Sequence, residues 1–124
     1  MKQGETMGDA RDEPSGEHEA QARAAYDAIA AELVETAQAT SASMFGMPSL
    51  KANGKAFAGY FHGAMVFKLG APEHGEALSL PGAQLFDPSG RSRPMKEWVQ
   101  VPAAHVALWQ TLAQAALRYV ASGH

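Results

Sequence analysis

The sequence predicts an α+β domain of two layers, α-β(3)-α-β(2)-α, with its helices packed on one face of a mostly antiparallel sheet. Two observations carry this. Apolar residues recur at spacings of three and four near both ends of the chain. The first set is Ala22, Ala25, Tyr26, Ile29, Ala30, Leu33 and Val34, and the second is Val106, Trp109, Leu112, Ala113, Ala116, Leu117 and Val120. Each set falls on one helical stripe. Between them the apolar period shortens to two and turn residues arrive at short intervals, as in a β-meander.

The first helix is expected over residues 17–38, with Arg23, Asp27, Glu32 and Glu35 on its polar side. The run Ala39-Thr40-Ser41-Ala42-Ser43 ends it, because hydroxyl side chains compete for backbone hydrogen bonds. A short strand over 49–52 meets Asn53-Gly54, the pair that most readily supplies the two positive φ angles of a type I′ hairpin turn. Alternation resumes over 55–61, with Phe57, Gly59 and Phe61 on one face and Ala56, Ala58 and Tyr60 on the other. His62-Gly63 turns the chain into a third strand, 64–69, where Met65, Phe67 and Leu69 share a face.

Gly70-Ala71-Pro72 breaks that strand, and residues 73–80 suit a two-turn helix with Ala77 and Leu80 facing inward. Pro81-Gly82 closes it, 83–86 is extended, and Asp87-Pro88-Ser89-Gly90 is a turn sequence. Residues 95–101 alternate Met95, Glu97, Val99 and Val101 against Lys96, Trp98 and Gln100. Pro102 suits the first turn of the last helix, where its missing N–H has no partner to lose, and Gly123 stands at the C-terminal cap.

Length and composition narrow the function classes. With 124 residues, 46% apolar and 19% charged, the chain has the make-up of an ordinary single globular domain. It has no cysteine, which excludes disulfides, thiolate metal sites and a cysteine nucleophile. The first residues lack the apolar core of a signal peptide, and no apolar run approaches the ~20 residues that span a bilayer, so the expected compartment is the cytoplasm. Residues 1–16 read as a disordered acidic tail, with Met7 as an alternative start, and 17–124 as the domain. Residues 1–19 hold six acids against Lys2 and Arg11, so the net charge of −3 is concentrated there and the body is close to neutral. That body lacks the strongly basic character typical of nucleic-acid-binding domains.

Met44-Phe45-Gly46, Gly54-Lys55-Ala56-Phe57-Ala58, Lys68-Leu69 and Phe86-Asp87 occur in an ordered succession. Arg93-Pro94-Met95-Lys96-Glu97-Trp98-Val99, Val101-Pro102, Trp109, Ala116 and Tyr119-Val120 continue it. The succession resembles the TfoX N-terminal domain family over about residues 44–121. The resemblance implies the same two-layer architecture, similar to secretion-chaperone-like folds. Better-studied members regulate DNA-uptake competence in bacteria and carry a second, helical domain. This chain resembles the stand-alone members, for which no general biochemical activity is implied.

Chemistry-bearing residues are sparse. Histidines stand at 18, 62, 74, 105 and 124, with no pair at the spacing of a helical metal site. His74 lies between Glu73 and Glu76, which a solvated helix start explains better than an acid/base cluster. No serine sits in a glycine-flanked elbow, and no glycine cluster leads into a helix as a phosphate loop does. The expectation is a non-enzymatic regulatory or protein-interaction module without metal or cofactor, engaging a protein partner or a second copy through an open sheet edge or sheet face. The alternative is weak nucleic-acid binding through Arg91, Arg93, Lys96 and Trp98, in which cations neutralise phosphate while an aromatic face accepts a base. The competing reading buries Trp98 and leaves Arg91 and Arg93 as solvated turn residues. Phe45, Phe57, Phe61, Phe67, Met44, Met65 and Met95 are read as core rather than as a ligand pocket.

Overall fold

A computed structural model describes residues 14–124. The elements run α1 (Pro14–Ala37), β1 (Thr40–Met44), β2 (Met47–Ala52), β3 (Lys55–Phe61), β4 (Ala64–Lys68), α2 (Glu73–Leu78), β5 (Gln84–Phe86), β6 (Met95–Pro102), a 3-10 turn (Ala103–His105) and α3 (Val106–Ala121). The six strands form one antiparallel sheet in the order β1-β2-β3-β4-β6-β5. Among the described residues the chain is therefore α+β, with three helices and four strands rather than three before α2. No helix among the described residues is long and apolar enough to cross a membrane. The acidic tail expected at 1–16, and Met7 within it, lie outside the described residues as far as residue 13, and α1 begins at Pro14.

The additional strand is β1, where the hydroxyl-rich run was expected only to end the helix. α1 does stop at Ala37, and the Ala39 amide donates to the Leu33 carbonyl at 3.1 Å. Thr40 then starts an edge strand whose residues are exposed or half-buried. Such a strand needs no apolar alternation, because it lies at the margin of the core. Pro102 likewise closes β6 with φ −70° and ψ 163° and precedes the 3-10 turn, so α3 starts four residues later at Val106.

The helices cover one face of the sheet. Tyr26, Ile29 and Leu33 of α1 and Trp109, Leu112, Ala116 and Val120 of α3 pack on Leu50, Phe57, Ala58, Tyr60, Met65, Phe67, Val99 and Val101. Val34 and Val106, expected on the buried stripes, are instead exposed. Met65, Phe67 and Leu69 share the helix side as expected. β3 does not follow its expected alternation. Leu50 pairs with Ala58 and Lys51 with Ala56, which leaves Phe57 as the extra residue of a bulge. Two successive side chains at a bulge turn to one face, so Phe57 joins Ala58 and Tyr60 under the helices, while Ala56 and Phe61 pack on the other side.

That other side, here the outer face, carries a second and smaller core. Met47, Val66, Phe86 and Trp98 are buried in it, with Met44, Ala56, Phe61 and Met95 partly buried around them. Gly59 lies beneath Met47, and a Cβ there would stand 3.0 Å from the Pro48 carbonyl oxygen. This strand position is therefore closed to larger residues by backbone as well as by side chain.

Candidate binding surface on the outer face of the sheet

Three hairpins of the meander use the same turn chemistry. Asn53-Gly54 (φ 54° and 78°), His62-Gly63 (48° and 84°) and Phe45-Gly46 (54° and 75°) each place two residues in the left-handed region. Asn visits that region readily and His less so, whereas a bulky Phe there is an outlier. Phe45 is also 64% exposed, the most exposed of the large apolar side chains among the described residues. Its ring meets Phe86 edge-on at a centroid distance of 6.5 Å, and Phe86 meets Phe61 at 5.1 Å and Trp98 at 6.5 Å. The hairpin tip at one margin of the sheet thus reaches the strand at the opposite margin, β5, across the outer face. Phe45 forms the exposed cap of an aromatic cluster whose deeper members are buried.

Phe86 is followed directly by the loop of residues 87–94, so the same point anchors a cationic segment. Asp87 holds the loop from within. Its Oδ1 accepts from the Ser89 hydroxyl at 2.7 Å and from the Ser89 and Gly90 amides at 3.1 Å, and its Oδ2 accepts from the Arg93 amide at 3.1 Å. The Arg91 amide donates to the Ser89 hydroxyl at 3.0 Å. These bonds hold the Asp87 carboxyl below its ordinary pKa, the Ser89 hydroxyl first and the Arg93, Gly90 and Ser89 amides after it. The loop's own acid therefore occupies its amides. The side chains of Arg91, Arg93 and Lys96 are exposed and have no ion-pair partner among the described residues. Ser89, Arg91 and Arg93 line an open depression of about 550 Å³.

Of the four residues read from the sequence as a surface, the structure places Arg91, Arg93 and Lys96 in solvent and Trp98 in the second core at 6% exposure. The alternation that put Lys96 and Trp98 on one exposed face is interrupted. Leu85 pairs with Val99 but Phe86 with Met95, so residues 96–98 have no partner on β5. Met95 and Trp98 both pack in the outer core as a result. Trp98 offers no free face to a stacked base, and the exposed aromatic of the outer face is Phe45, whose ring meets Phe86, the residue from which the cationic loop departs. The sequence did hold a sign of it. Phe45-Gly46 is a two-residue connection between strands, and such a connection requires positive φ at an aromatic residue.

Four histidine rings, those of His62, His74, His105 and His124, have structural contacts. His74 Nε2 bonds the Lys96 carbonyl and His105 Nε2 the Pro81 carbonyl, each at 2.8 Å. His62 lies edge-on to Phe61 at 4.4 Å, and His124 stacks on Tyr119 at 4.2 Å. Hollows also lie on the helical side, among them one of about 380 Å³ bounded by His18, Gln21, Ala22, Ala103, Ala104 and Val106, and one of about 180 Å³ between α2 and α3. Among the described residues no group of three or more His, Asp or Glu side chains converges as metal ligands would. Compared with known proteins, the chain matches no family model, no curated protein and no solved structure.

Proposed function

We propose that this protein is a non-enzymatic regulatory or protein-interaction module of the TfoX N-terminal type that engages a protein partner through Phe45, Arg91, Arg93 and Lys96. The observation that carries the reading is Phe45, an aromatic side chain kept both exposed and in the left-handed region, directly above a buried aromatic cluster. Strained backbone concentrates at sites with a task, and exposed aromatics anchored on a rigid base are the typical centres of interfaces. The exposed cations Arg91 and Arg93 of the loop that follows Phe86, with Lys96 just beyond it, favour a partner with an apolar anchor and acidic neighbours. The cytoplasm expected from the sequence is the compartment in which such a partner is to be sought.

A second reading, nucleic-acid binding, is favoured by the same exposed Arg91, Arg93 and Lys96, with Phe45 in place of Trp98 as the stacking side chain. One experiment separates the two. A photo-crosslinking phenylalanine analogue at position 45 is irradiated in cells, and the adducts are digested with nuclease or with protease. A discrete protein adduct that disappears when Arg91, Arg93 and Lys96 are all replaced by Ala supports the first reading. A nuclease-sensitive adduct, with retention of short single strands that weakens steeply with salt, supports the second. Absence of any adduct at 45 refutes both.

A further inference from the structure

We propose that β1 is a self-pairing edge, through which two copies of this chain join their sheets antiparallel about a two-fold axis beside Ala42. The register of β1 on β2 identifies which backbone groups are free. Met44 pairs with Met47 across the two-residue Phe45-Gly46 turn, and such a closing pair exchanges both of its hydrogen bonds. Hydrogen-bonded and non-bonded pairs alternate along an antiparallel ladder. Ala42 and Thr40 therefore also bond inward to β2, and Ser43 and Ser41 turn their N–H and C=O outward. Pro48, which has no N–H, is the partner of Ser43 and agrees with that phase. Among the described residues no other strand pairs with this margin.

The two margins of the sheet differ in how they are guarded. β5 has three residues, an interrupted register and Asp87-Pro88 directly after it. β1 has five residues, Thr40-Ser41-Ala42-Ser43-Met44, with no charge, no proline and no register shift against β2. An edge lacking these protections is a template for another strand. A second copy satisfies it by symmetry. Setting Ser41 opposite the second copy's Ser43 overlaps all five residues and uses every outward N–H and C=O of both strands. It also brings Ala42 to face its symmetry mate as a close, non-bonded pair of small side chains. The axis of such a pair stands perpendicular to the sheet, so the two outer faces point the same way and the two Phe45 surfaces become one bivalent face. This inference is independent of what binds at Phe45: replacing Arg91, Arg93 and Lys96 leaves the dimer intact.

Sedimentation of the full chain tests it, with Ser43→Pro and single-cysteine variants of this cysteine-free sequence. The expected result is a dimer that Ser43→Pro weakens by about thirtyfold, since one outward N–H is lost from each copy while the β1–β2 ladder keeps its bonds. Under mild oxidation Ala42→Cys forms a covalent dimer. Ser41→Cys alone does not, because the residue facing position 41 is 43 and its own mate is too distant for a disulfide. A monomer at every concentration overturns the proposal, as does a dimer indifferent to Ser43→Pro and not trapped by Ala42→Cys. Dimerisation that appears only after removal of residues 1–13 overturns it too, and assigns the edge to that segment.

Discussion

Replacing Phe45 by Asn separates the two tasks an exposed aromatic can have, holding the fold and meeting a partner. An ordinary side chain in the left-handed region costs roughly 1–2 kcal/mol, and Asn tolerates that region better than most, so about 1 kcal/mol of strain is relieved. Against this stands the burial that is lost. Phe45 is 64% exposed, so only about a third of it is covered. Full burial of a Phe is worth about 1.5–3 kcal/mol, which puts the loss near 0.5–1 kcal/mol, and the edge-on contact with Phe86 adds about 0.5–1 kcal/mol. The terms nearly cancel, and stability should stay within about 1 kcal/mol of the parent. Urea unfolding followed by circular dichroism, with unchanged m value, measures this. Affinity for a partner identified by cross-linking should fall by about tenfold or more in the same variant. The fully buried neighbour supplies the contrast, because Phe86→Ala should cost about 3–5 kcal/mol. A loss of about 2 kcal/mol or more in Phe45→Asn would make Phe45 a structural lid on the outer core and refute the reasoning.

Two further outcomes follow from the main core and the loop. Phe67 is fully buried opposite Ala58 and Val99, so Phe67→Ala should destabilise by about 3–5 kcal/mol in the same unfolding assay, and near-zero loss would mean the helix-covered face is misassigned. The Asp87 carboxyl is held below its ordinary value of 3.8, so it supports the loop above that pH and releases it as pH falls through the lower folded value. The amide resonances of Ser89, Gly90 and Arg93 should therefore move together with the Asp87 carboxyl carbon in an NMR titration. Asp87→Asn should remove that coupled movement, and an Asp87 titrating at its ordinary value would contradict the hydrogen bonds described.

Strands β3 and β4 were legible because Asn53-Gly54 and His62-Gly63 punctuate them and because Met65, Phe67 and Leu69 alternate without interruption. β1 was not, since a margin strand buries too little to impose an apolar period, and its serines and threonine read equally well as a helix stop. The bulge at Phe57 was also hidden, because nothing in Ala56-Phe57-Ala58 marks which residue is supernumerary; that depends on the partner strand. Of the surface, the cations Arg91, Arg93 and Lys96 were legible from their clustering alone. The exposed aromatic of the outer face was not. Whether Trp98 or Phe45 meets solvent depends on the irregular pairing of β5 with β6 and on how far the first hairpin curls over the sheet, and both are long-range.

The outer core is closed by a hairpin tip and by residues around a loop, whereas the main core is closed by two long helices. Sub-global opening begins where the fewest buried contacts must break. Lifting the Phe45 tip away from Phe86 leaves Trp109 and the α1–α3 packing untouched, so amides around the first hairpin and β5 should lose exchange protection well before those of β4. The proposed recognition surface and local unfolding thus share one region, and a partner that bridges tip and loop would register as slowed hydrogen exchange there.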